Sequence, residues 1–258
     1  DQPGFKKELY EEMLLLYLSL TYVAGENTFF RGLKKLLPGR YLIWQDGKLE
    51  IHRYWKPEFH PDESKTLEDW ADEIHNTLKE IMPEVKTADE KVESFLSGGV
   101  DSSYVLAMSD AEQADSCGYE EERFDESVLA EKTAQLLGRK FSRSIITPEQ
   151  FFDIVPYVMY NMEQPLGDAS AIVFTLGCNA TAEHTKICYS GEGSDEFFGG
   201  YNMYRNAERY GENLKNFYVG NTNIMKEDEK QKILKKYDPD VLPIELARGI
   251  YEETEGLD

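Results

Sequence analysis

Residues 97–103 (SGGVDSS) carry the most chemistry in this chain. They follow the apolar segment 92–96, which predicts a β-strand, and they precede the segment 104–108, which predicts a helix. A loop between a strand and a helix start presents unpaired backbone N–H groups and the positive end of the helix dipole, and both attract anions. The two glycines lack a Cβ and leave room for a phosphate to reach the backbone. We call residues 97–103 the first loop and predict that it binds phosphate.

Asp101 places a carboxylate in this loop, which otherwise attracts negative groups. The carboxylate is explained if a divalent cation accompanies the phosphates, because hard cations take oxygen ligands. The chain contains no G-x-x-x-x-G-K-[ST] string, so the first loop indicates a phosphate site without the lysine of a Walker loop. The alternative interpretation is an ordinary helix cap, for which serine and aspartate are favoured residues.

Residues 190–201 (SGEGSDEFFGGY) repeat the same arrangement, and we call them the second loop. They follow the short predicted strand 186–189 and again lead through Ser-Gly and an acidic residue towards a predicted helix. In an open parallel sheet, ligands bind outside the carboxyl ends of the strands, where two such loops can face each other. Asp101 and Asp195 would then be able to hold one Mg²⁺ ion between them.

The two loops together resemble the synthetase domain of glutamine-dependent asparagine synthetases, a branch of the ATP pyrophosphatases. Residues 124–127 (FDES) and 163–172 (EQPLGDASAI) are similar to further segments of that family. Residues 28–59 resemble the end of the glutaminase domain that precedes the synthetase domain. The resemblance covers about residues 10–205.

The resemblance implies a fold, a reaction and a set of partners. The fold is α/β, a parallel sheet with helices on both faces, of the adenine nucleotide alpha hydrolase-like, PP-loop type, with a small helix and β-hairpin before it. The reaction is the adenylation of aspartate by ATP with Mg²⁺, which releases AMP and pyrophosphate, followed by amidation with glutamine-derived ammonia. The ammonia would come from an N-terminal glutaminase domain of the same protein. The resemblance also implies a cytoplasmic location. A homodimer is one open alternative for the assembly of the protein.

The resemblance also implies roles for individual residues. Residues that would bind the nucleotide are Leu96, Ser97, Gly98, Gly99, Asp101, Ser102, Cys117, Ser190 and Gly191. Glu192 and Asp195 would be catalytic, with Glu192 as the base that helps ammonia attack. Asp101 and Asp195 would hold the metal, and Asp168 and Ser170 would line the amino-acid pocket. From residue type alone, Leu96 and Cys117 are core residues, and only the family geometry assigns them to the adenine.

The chain departs from the family pattern in several places. Family members begin with a nucleophilic cysteine, whereas this chain begins at Asp1 and has no cysteine before Cys117. The family's synthetase domain continues well past Asp258 and carries a late phosphate-binding lysine, and residues 139–143 (RKFSR) stand where many relatives carry histidine and glutamate. We therefore expect a fragment with two parts: residues 1–64, a remnant of the glutaminase domain, and residues 65–258, a synthetase domain that is truncated at its C-terminal end.

Composition argues against several other classes of protein. The formal net charge is -21, from 28 Lys and Arg against 49 Asp and Glu, which argues against nucleic acid or an anionic membrane as a partner. The three cysteines lack C-x-x-C spacing and the four histidines lack ligand spacing, so a disulfide framework or a zinc site is not expected. The apolar run 13–18 is too short to span a bilayer.

Three other functions remain open at this stage. The same loops serve amide-forming relatives such as β-lactam synthetases and peptide-cyclising enzymes, which differ in their acceptor pocket. We expect the fragment itself to be inactive, and the alternative from a different class is an adenine-nucleotide binding module or scaffold. A tRNA-thiolating enzyme is disfavoured by the negative charge and by the absence of paired reactive cysteines.

Periodicity predicts the elements that position the loops. Near the N-terminus we expect a helix over 5–23 and a hairpin with strands 40–45 and 48–55, joined at Asp46-Gly47, a pair typical of a two-residue turn. Residues 56–65 are the best candidate linker, and Thr66 begins a helix. Strands and helices then alternate, which favours a parallel sheet covered on both sides: strands 92–96, 115–119, 141–146 and 186–189, and helices ending at 111 or spanning 126–137, 148–160 and 170–183. From Asn202 onward the sequence is polar and helical, with breaks at Asp238-Pro239 and Leu242-Pro243.

Overall fold

The structure, a computed structural model, describes residues 3–58, 60–85, 91–202 and 225–237. The chain divides into two compact units. The first unit comprises residues 1–61, 162–167 and 205–258, and the second comprises residues 62–161 and 168–204. The elements in chain order are α1 Glu12–Leu20, β1 Arg40–Gln45, β2 Lys48–Arg53, α2 Leu67–Val85, β3 Val92–Phe95, α3 Val100–Met108, β4 Gln113–Tyr119, α4 Ser127–Leu136, β5 Lys140–Ile146, α5 Pro148–Asn161, α6 Ser170–Thr181, β6 Ile187–Tyr189, α7 Ser194–Phe198 and α8 Glu227–Ile233.

The second unit is built on a four-stranded parallel sheet with the order β5-β4-β3-β6. The chain runs outward from β3 through β4 to β5, and then returns so that β6 pairs with the other side of β3. The direction of winding therefore reverses between β3 and β6. In α/β sheets the carboxyl ends of the strands at such a switch point form the ligand-binding crevice.

Helices cover both faces of this sheet. On one face, Leu106 of α3 and Ala130 and Ala134 of α4 pack in a buried cluster with strand residues such as Val92 and Leu96. Side chains alternate between the faces of a strand, so the intervening strand residues point to the opposite face, which α6 covers. Helix α5 packs in turn on α6. The predicted fold class, a parallel sheet with helices on both faces, is confirmed.

Helix α2 begins with a reciprocal hydrogen-bonded cap. The sequence analysis predicts this helix start at Thr66. The Thr66 N–H and hydroxyl both donate to Asp69 Oδ2 at 2.8 Å, and the Asp69 N–H donates to the Thr66 hydroxyl at 3.2 Å. These bonds satisfy backbone donors that have no acceptor within the helix. Met82 near the other end packs against the core of the sheet, and the His75 ring lies 2.9 Å from the Tyr104 hydroxyl of α3.

The first unit contains α1, the hairpin of β1 and β2, and α8. Buried residues of α1 form a small apolar cluster with Val23. The predicted hairpin is confirmed over 40–53: Gln45 pairs with Lys48, and Asp46 and Gly47 adopt φ values of 52° and 75°. Those two positive angles are typical of a type I′ turn.

The predicted helix over 5–23 is too long, because α1 spans only Glu12–Leu20. Residues before it pair with a later segment instead: the Tyr10 N–H donates to the Phe29 carbonyl and the Arg31 N–H donates to the Glu8 carbonyl. At its other end α1 stops at Thr21, which adopts a left-handed φ of 66°.

The polar region after Asn202 is described only over residues 225–237, where α8 is helical. The predicted breaks at Asp238-Pro239 and Leu242-Pro243 lie outside the described residues. The division at residue 64/65 into a glutaminase remnant and a synthetase domain stays a prediction. Among the described helices, none is long and apolar enough to cross a membrane.

Candidate functional site

The two serine–glycine loops meet at the switch point of the sheet. The first loop follows β3 and the second follows β6, and these strands are hydrogen-bonded neighbours. A Cβ added at Gly191 would lie 2.6 Å from the Ser102 nitrogen, so the backbones of the two loops are in direct contact and only glycine fits there. Each loop also turns at a glycine with φ of +90°, Gly98 in the first and Gly193 in the second. The convergence predicted from the sequence is therefore present.

Serine hydroxyls hold the first loop in shape. The Ser102 side chain is only 6% exposed, and its hydroxyl accepts the Ser97 N–H at 3.1 Å and lies 2.9 Å from the Ser97 hydroxyl. The Gly99 N–H donates to the Ser97 hydroxyl at 3.3 Å. Helix α3 begins at Val100, so its first-turn N–H groups have no acceptor within the helix and point towards the loop. The hydroxyls thus shape the loop, while the helix start supplies the free donors.

The second loop is ordered by similar short-range bonds. The Glu192 N–H donates to the Ser190 hydroxyl at 3.0 Å, and the Ser194 hydroxyl donates to the Gly191 carbonyl at 2.8 Å. The Tyr201 hydroxyl donates to Glu196 at 2.7 Å, and this bond raises the pKa of Tyr201 to about 12. Tyr201 is therefore a neutral hydrogen-bond donor at physiological pH.

Asp195 is held against Gly200 at the end of the second loop. The Gly200 N–H donates to the Asp195 carbonyl at 3.1 Å. A Cβ added at Gly200 would lie 1.8 Å from Asp195 Oδ1 and 2.9 Å from its Cγ. The position of this carboxylate therefore depends on the absence of a side chain at residue 200.

Both loops border one cleft of about 600 Å³ in the second unit. The structure brings most of the predicted site residues to its wall: Leu96, Ser97, Gly99, Asp101, Ser102, Cys117, Ser170, Ser190, Gly191, Glu192 and Asp195. The volume is in the range of sites for small molecules and nucleotide-sized ligands.

Two predicted site residues lie apart from the cleft wall. Gly98 faces the start of α4, where an added Cβ would lie 3.1 Å from the Glu126 carbonyl oxygen. Asp168 is exposed, and its Oδ1 accepts the Ser170 N–H at 2.8 Å just before α6. Asp168 therefore fixes the start of the helix that carries Ser170 to the cleft.

The structure adds residues to the site that the sequence did not single out. Three aromatic side chains, Phe124, Phe151 and Phe174, line the cleft together with Glu126 and Asp115. Phe124 and Glu126 belong to the FDES segment that carried the family resemblance, and that was the available signal for them. Nothing in the local sequence distinguishes Phe151, Phe174 or Asp115 from other helix and strand residues.

The charges on the cleft wall are all of one sign. Its described lining carries five carboxylates, Asp101, Asp115, Glu126, Glu192 and Asp195, and no lysine, arginine or histidine. A polyphosphate entering this cleft meets backbone N–H donors but also strong like-charge repulsion. A divalent cation bound together with the phosphates would offset that repulsion.

Asp101 and Asp195 supply carboxylate oxygens, the kind of ligand that such a cation takes, on the wall of this cleft. Each lies in the first turn of the helix that follows its loop, α3 for Asp101 and α7 for Asp195, and both line the cleft. Among the described residues, no cluster of three or more His, Cys, Asp or Glu side chains forms a protein cage for a metal. Mg²⁺ is commonly held by one or two carboxylates plus substrate phosphates, so these residues fit a cation that arrives with its ligand.

The cysteines of the sheet are not activated nucleophiles. Burial raises the pKa of the Cys117 thiol, and it raises the pKa of Cys188 to about 12. The Cys117 thiol donates to the Val173 carbonyl at 3.9 Å, so its side chain points at α6. Thiolate chemistry is therefore disfavoured here, and any role of Cys117 towards a ligand falls to its backbone.

Comparison with known proteins adds an independent finding. A family model described as Asparagine synthase matches residues 73–248. Glutamine-hydrolyzing asparagine synthetase 1 of Bacillus subtilis (strain 168) is 28% identical over 96% of this chain and 45% of its own length. Amidase chry2 of Gibberella zeae is 32% identical over 70% of this chain and 31% of its own length. The chain therefore spans less than half the length of these curated relatives.

Solved structures give more distant likenesses. A glutamine-dependent NAD+ synthetase from Acinetobacter baumannii, in complex with adenosine diphosphate, is 16% identical with a TM-score of 0.37. The match covers 80% of this chain and 48% of that chain.

Proposed function

The chain belongs to the asparagine synthase family, and from that membership we propose that it carries the synthetase part of an asparagine synthetase. In this proposal ATP adenylates the side-chain carboxylate of aspartate, AMP and pyrophosphate are released, and ammonia converts the activated carboxylate into the amide of asparagine. The observation that carries the proposal is the direct contact between the two serine–glycine loops at the switch point of the parallel sheet, on the wall of one cleft.

The nucleotide would bind with its phosphates at the two loops. The free first-turn N–H groups of α3 and the backbone of Gly99 and Gly191, which line the cleft, would approach the phosphate oxygens. Leu96, directly after β3, and Cys117, within β4, lie on the cleft wall, where their backbone groups would meet the adenine. The buried hydroxyl of Ser102 keeps the first loop in its shape before any ligand arrives.

Mg²⁺ bound between Asp101 and Asp195 would neutralise charge on the phosphates that leave. The two carboxylates would orient the triphosphate so that pyrophosphate leaves away from the attacking carboxylate of aspartate. Adenylation is needed because a free carboxylate is anionic and a poor acyl electrophile. Loop N–H donors would stabilise the negative charge that develops on the phosphates in the transition state.

Glu192 is the proposed base for the second half of the reaction. It lies on the cleft wall one residue beyond the glycine that contacts the first loop. From there its carboxylate would accept a proton from ammonia as the nitrogen attacks the acyl-adenylate. Ser170, at the start of α6, would contact the amino acid, while Asp168 would position that helix start.

The remaining parts of the proposal concern the longer protein. We propose that an N-terminal glutaminase domain of the same protein supplies the ammonia, that the protein acts in the cytoplasm, and that its partners are small molecules and not nucleic acid. The net charge of -21 supports the last point, because nucleic-acid binding needs a basic surface. A homodimer is a further proposal for its assembly.

A related amide-forming ligase with a different acceptor is the second candidate. The 32% identity to a protein named as an amidase favours it. The phosphate loops would be the same in both cases, and the difference would lie around Ser170 and the aromatic wall of Phe151 and Phe174.

Product analysis on the longer protein, with ammonium chloride as the nitrogen source, tests the proposal independently of glutamine hydrolysis. We expect AMP, pyrophosphate and asparagine to form from MgATP and aspartate, and we expect Asp195→Asn to lose this activity. Glu131→Gln, an exposed change on α4, is the matched control and leaves it intact. Release of ADP and phosphate would contradict the proposal. MgATP binding without aspartate-dependent pyrophosphate release would support a nucleotide-binding module or another acceptor.

A further inference from the structure

Two carboxyl side chains lie inside the sheet of the second unit, which is unusual because parallel strands covered on both faces are normally apolar. Glu93 of β3 is fully buried, and Asp115 of β4 is only 9% exposed. Residues that pair across a parallel sheet share a face, so Asp115 points to the same side as Phe95, and Glu93, two residues before Phe95, points there as well. Helix α6 covers this face, since a Cβ added at its Gly177 would lie 3.4 Å from the Phe95 ring.

One oxygen of each carboxyl group has a hydrogen-bond donor and the other has none. Lys91 forms an ion pair with Glu93 Oε1, and the Gln113 amide donates to Asp115 Oδ1 at 3.1 Å. Among the described residues, no N–H or O–H group donates to Glu93 Oε2 or to Asp115 Oδ2, although both atoms are buried. The two carboxyl groups are in hydrogen-bond contact with each other. Buried oxygens without a donor are costly, so this contact needs a hydrogen.

A single proton supplies that hydrogen. With one proton, a carboxylic O–H faces a carboxylate oxygen, and such charge-assisted hydrogen bonds are the stronger kind. Lys91 favours Glu93 as the charged member, which leaves the proton on Asp115. Desolvation, together with the Glu93 carboxyl, raises the pKa of Asp115 to about 6, while Gln113 and His184 act in the opposite direction.

The groups around the pair do not take the place of this proton. The Lys91 ammonium contacts the other oxygen of Glu93 and also interacts with the exposed Glu112 before β4. Strand β5 contributes the uncharged Ser142 opposite Asp115. The titratable groups that the other packed elements bring to this region are Cys117 of β4, Cys178 of α6, Cys188 of β6 and His184 after α6. Burial raises the pKa of all three thiols, so they are neutral and add no positive charge.

We propose that Glu93 and Asp115 share one buried proton, which joins β3 to β4 and stabilises the sheet more at mildly acidic than at alkaline pH. The O–H of Asp115 then donates to Glu93 Oε2. When the proton leaves for water, two buried carboxylates repel each other. The Leu96 N–H donates to the Asp115 carbonyl at 2.9 Å, so the pair lies directly below the start of the first loop. This device is independent of nucleotide binding.

Thermal unfolding of the protein at pH 5 and pH 8 tests the shared proton. The ordinary pKa of an aspartate is 3.8, so between that pH and about 6 the folded chain holds a proton that the unfolded chain lacks. The stability that the pair contributes therefore falls as the pH rises through this range. Asp115→Asn puts an amide N–H in place of the O–H at every pH, and its amide oxygen can still accept from Gln113. We expect its Tm to exceed that of the wild type by about 4 °C at pH 8 and by less than about 1 °C at pH 5.

Glu131→Gln, an exposed change on α4, is the control for net charge, and we expect its Tm to differ from that of the wild type by the same amount at both pH values. Infrared spectroscopy of the folded proteins gives a direct readout. The difference between wild type and Asp115→Asn should contain the C=O stretch of a protonated carboxyl group at pH 5 and lack it at pH 8.

Glu93→Gln takes the place of Asp115→Asn in both measurements if the latter does not fold. Its amide N–H can donate to Asp115 Oδ2, so Asp115 needs no proton and the pH-dependent difference from the wild type should reappear. A Tm difference that is the same at pH 5 and pH 8, or a pH 5 difference spectrum without the protonated carboxyl band, would overturn the proposal.

Discussion

Gly200 determines where the Asp195 carboxylate can lie. The space that a Cβ would occupy is taken by Asp195 Oδ1, 1.8 Å away. The φ of Gly200 is not in the left-handed region, so alanine is permitted by the backbone and is excluded only by the carboxylate.

Gly200→Ala should therefore displace the Asp195 carboxylate without unfolding the protein. Because a displacement of about 1 Å in a catalytic group can cost about 100-fold in rate, we expect aspartate-dependent pyrophosphate release to fall by about that factor. The measurement is steady-state kinetics beside a thermal melt. Full activity in the alanine variant would show that the reaction does not depend on the position that the Asp195 carboxylate has against Gly200.

At the residue scale, spacing identified the two serine–glycine loops but not the whole wall of the cleft. Strings of glycine, serine and acidic residues in a fixed order predict such loops from the local sequence alone, because the backbone of the loop needs those residue types. Phe151 and Phe174 reach the cleft only through the packing of α5 and α6. Asp115 looks like one residue of an ordinary strand, and only the register beside β3 and β5 places it under α6.

The capping box of α2 makes a prediction at the scale of a single element. Thr66 and Asp69 exchange hydrogen bonds at the start of this long helix, and the bonds from Thr66 lower the pKa of Asp69. Thr66→Ala removes the acceptor for the Asp69 N–H and should lower the free energy of unfolding by about 1 kcal/mol. Urea denaturation measures this change.

The control for this experiment is Thr133→Ala, which removes an exposed hydroxyl that bonds within α4 and lies away from any helix start. A Thr66→Ala variant as stable as the Thr133→Ala variant would mean that water replaces the cap at no cost.

Element boundaries were predictable where local chemistry sets them. Residue type was enough to predict the two-residue turn at Asp46-Gly47. Residue type and hydrophobic period were enough to predict the alternation of strands and helices from 92 to 198. The N-terminal helix was overextended because the apolar period continues before Glu12. Glu8 and Tyr10 instead form backbone hydrogen bonds with Arg31 and Phe29 and so lie outside the helix. Because these partners are some twenty residues apart in the chain, the local sequence does not indicate the pairing.

At the scale of the whole molecule, charge decides how a nucleotide can enter. A chain of net charge -21 presents a cleft wall with carboxylates and no cationic side chain among its described residues. The N–H donors of the loops are partial charges and cannot by themselves balance a triphosphate.

We therefore expect ATP binding to depend on Mg²⁺. Titration calorimetry should detect binding of MgATP and at least about 10-fold weaker binding of ATP in EDTA. Asp101→Asn and Asp195→Asn should each weaken MgATP binding, and each should strengthen the binding of metal-free ATP because one negative charge is removed from the cleft. Equal affinities with and without Mg²⁺ would contradict the assignment of these two carboxylates.

The strand order has a consequence for how such a protein matures. Strand β3 pairs with β4 on one side and with β6 on the other. Strand β4 is synthesised some twenty residues after β3, whereas β6 is synthesised some ninety residues after it. Closing so long a segment is entropically slow compared with forming the local pairs. A nascent chain would therefore hold a three-stranded sheet with an open edge at β3 before the second loop exists. Under the proposed function, translation must pass residue 191 before both halves of the nucleotide site are present.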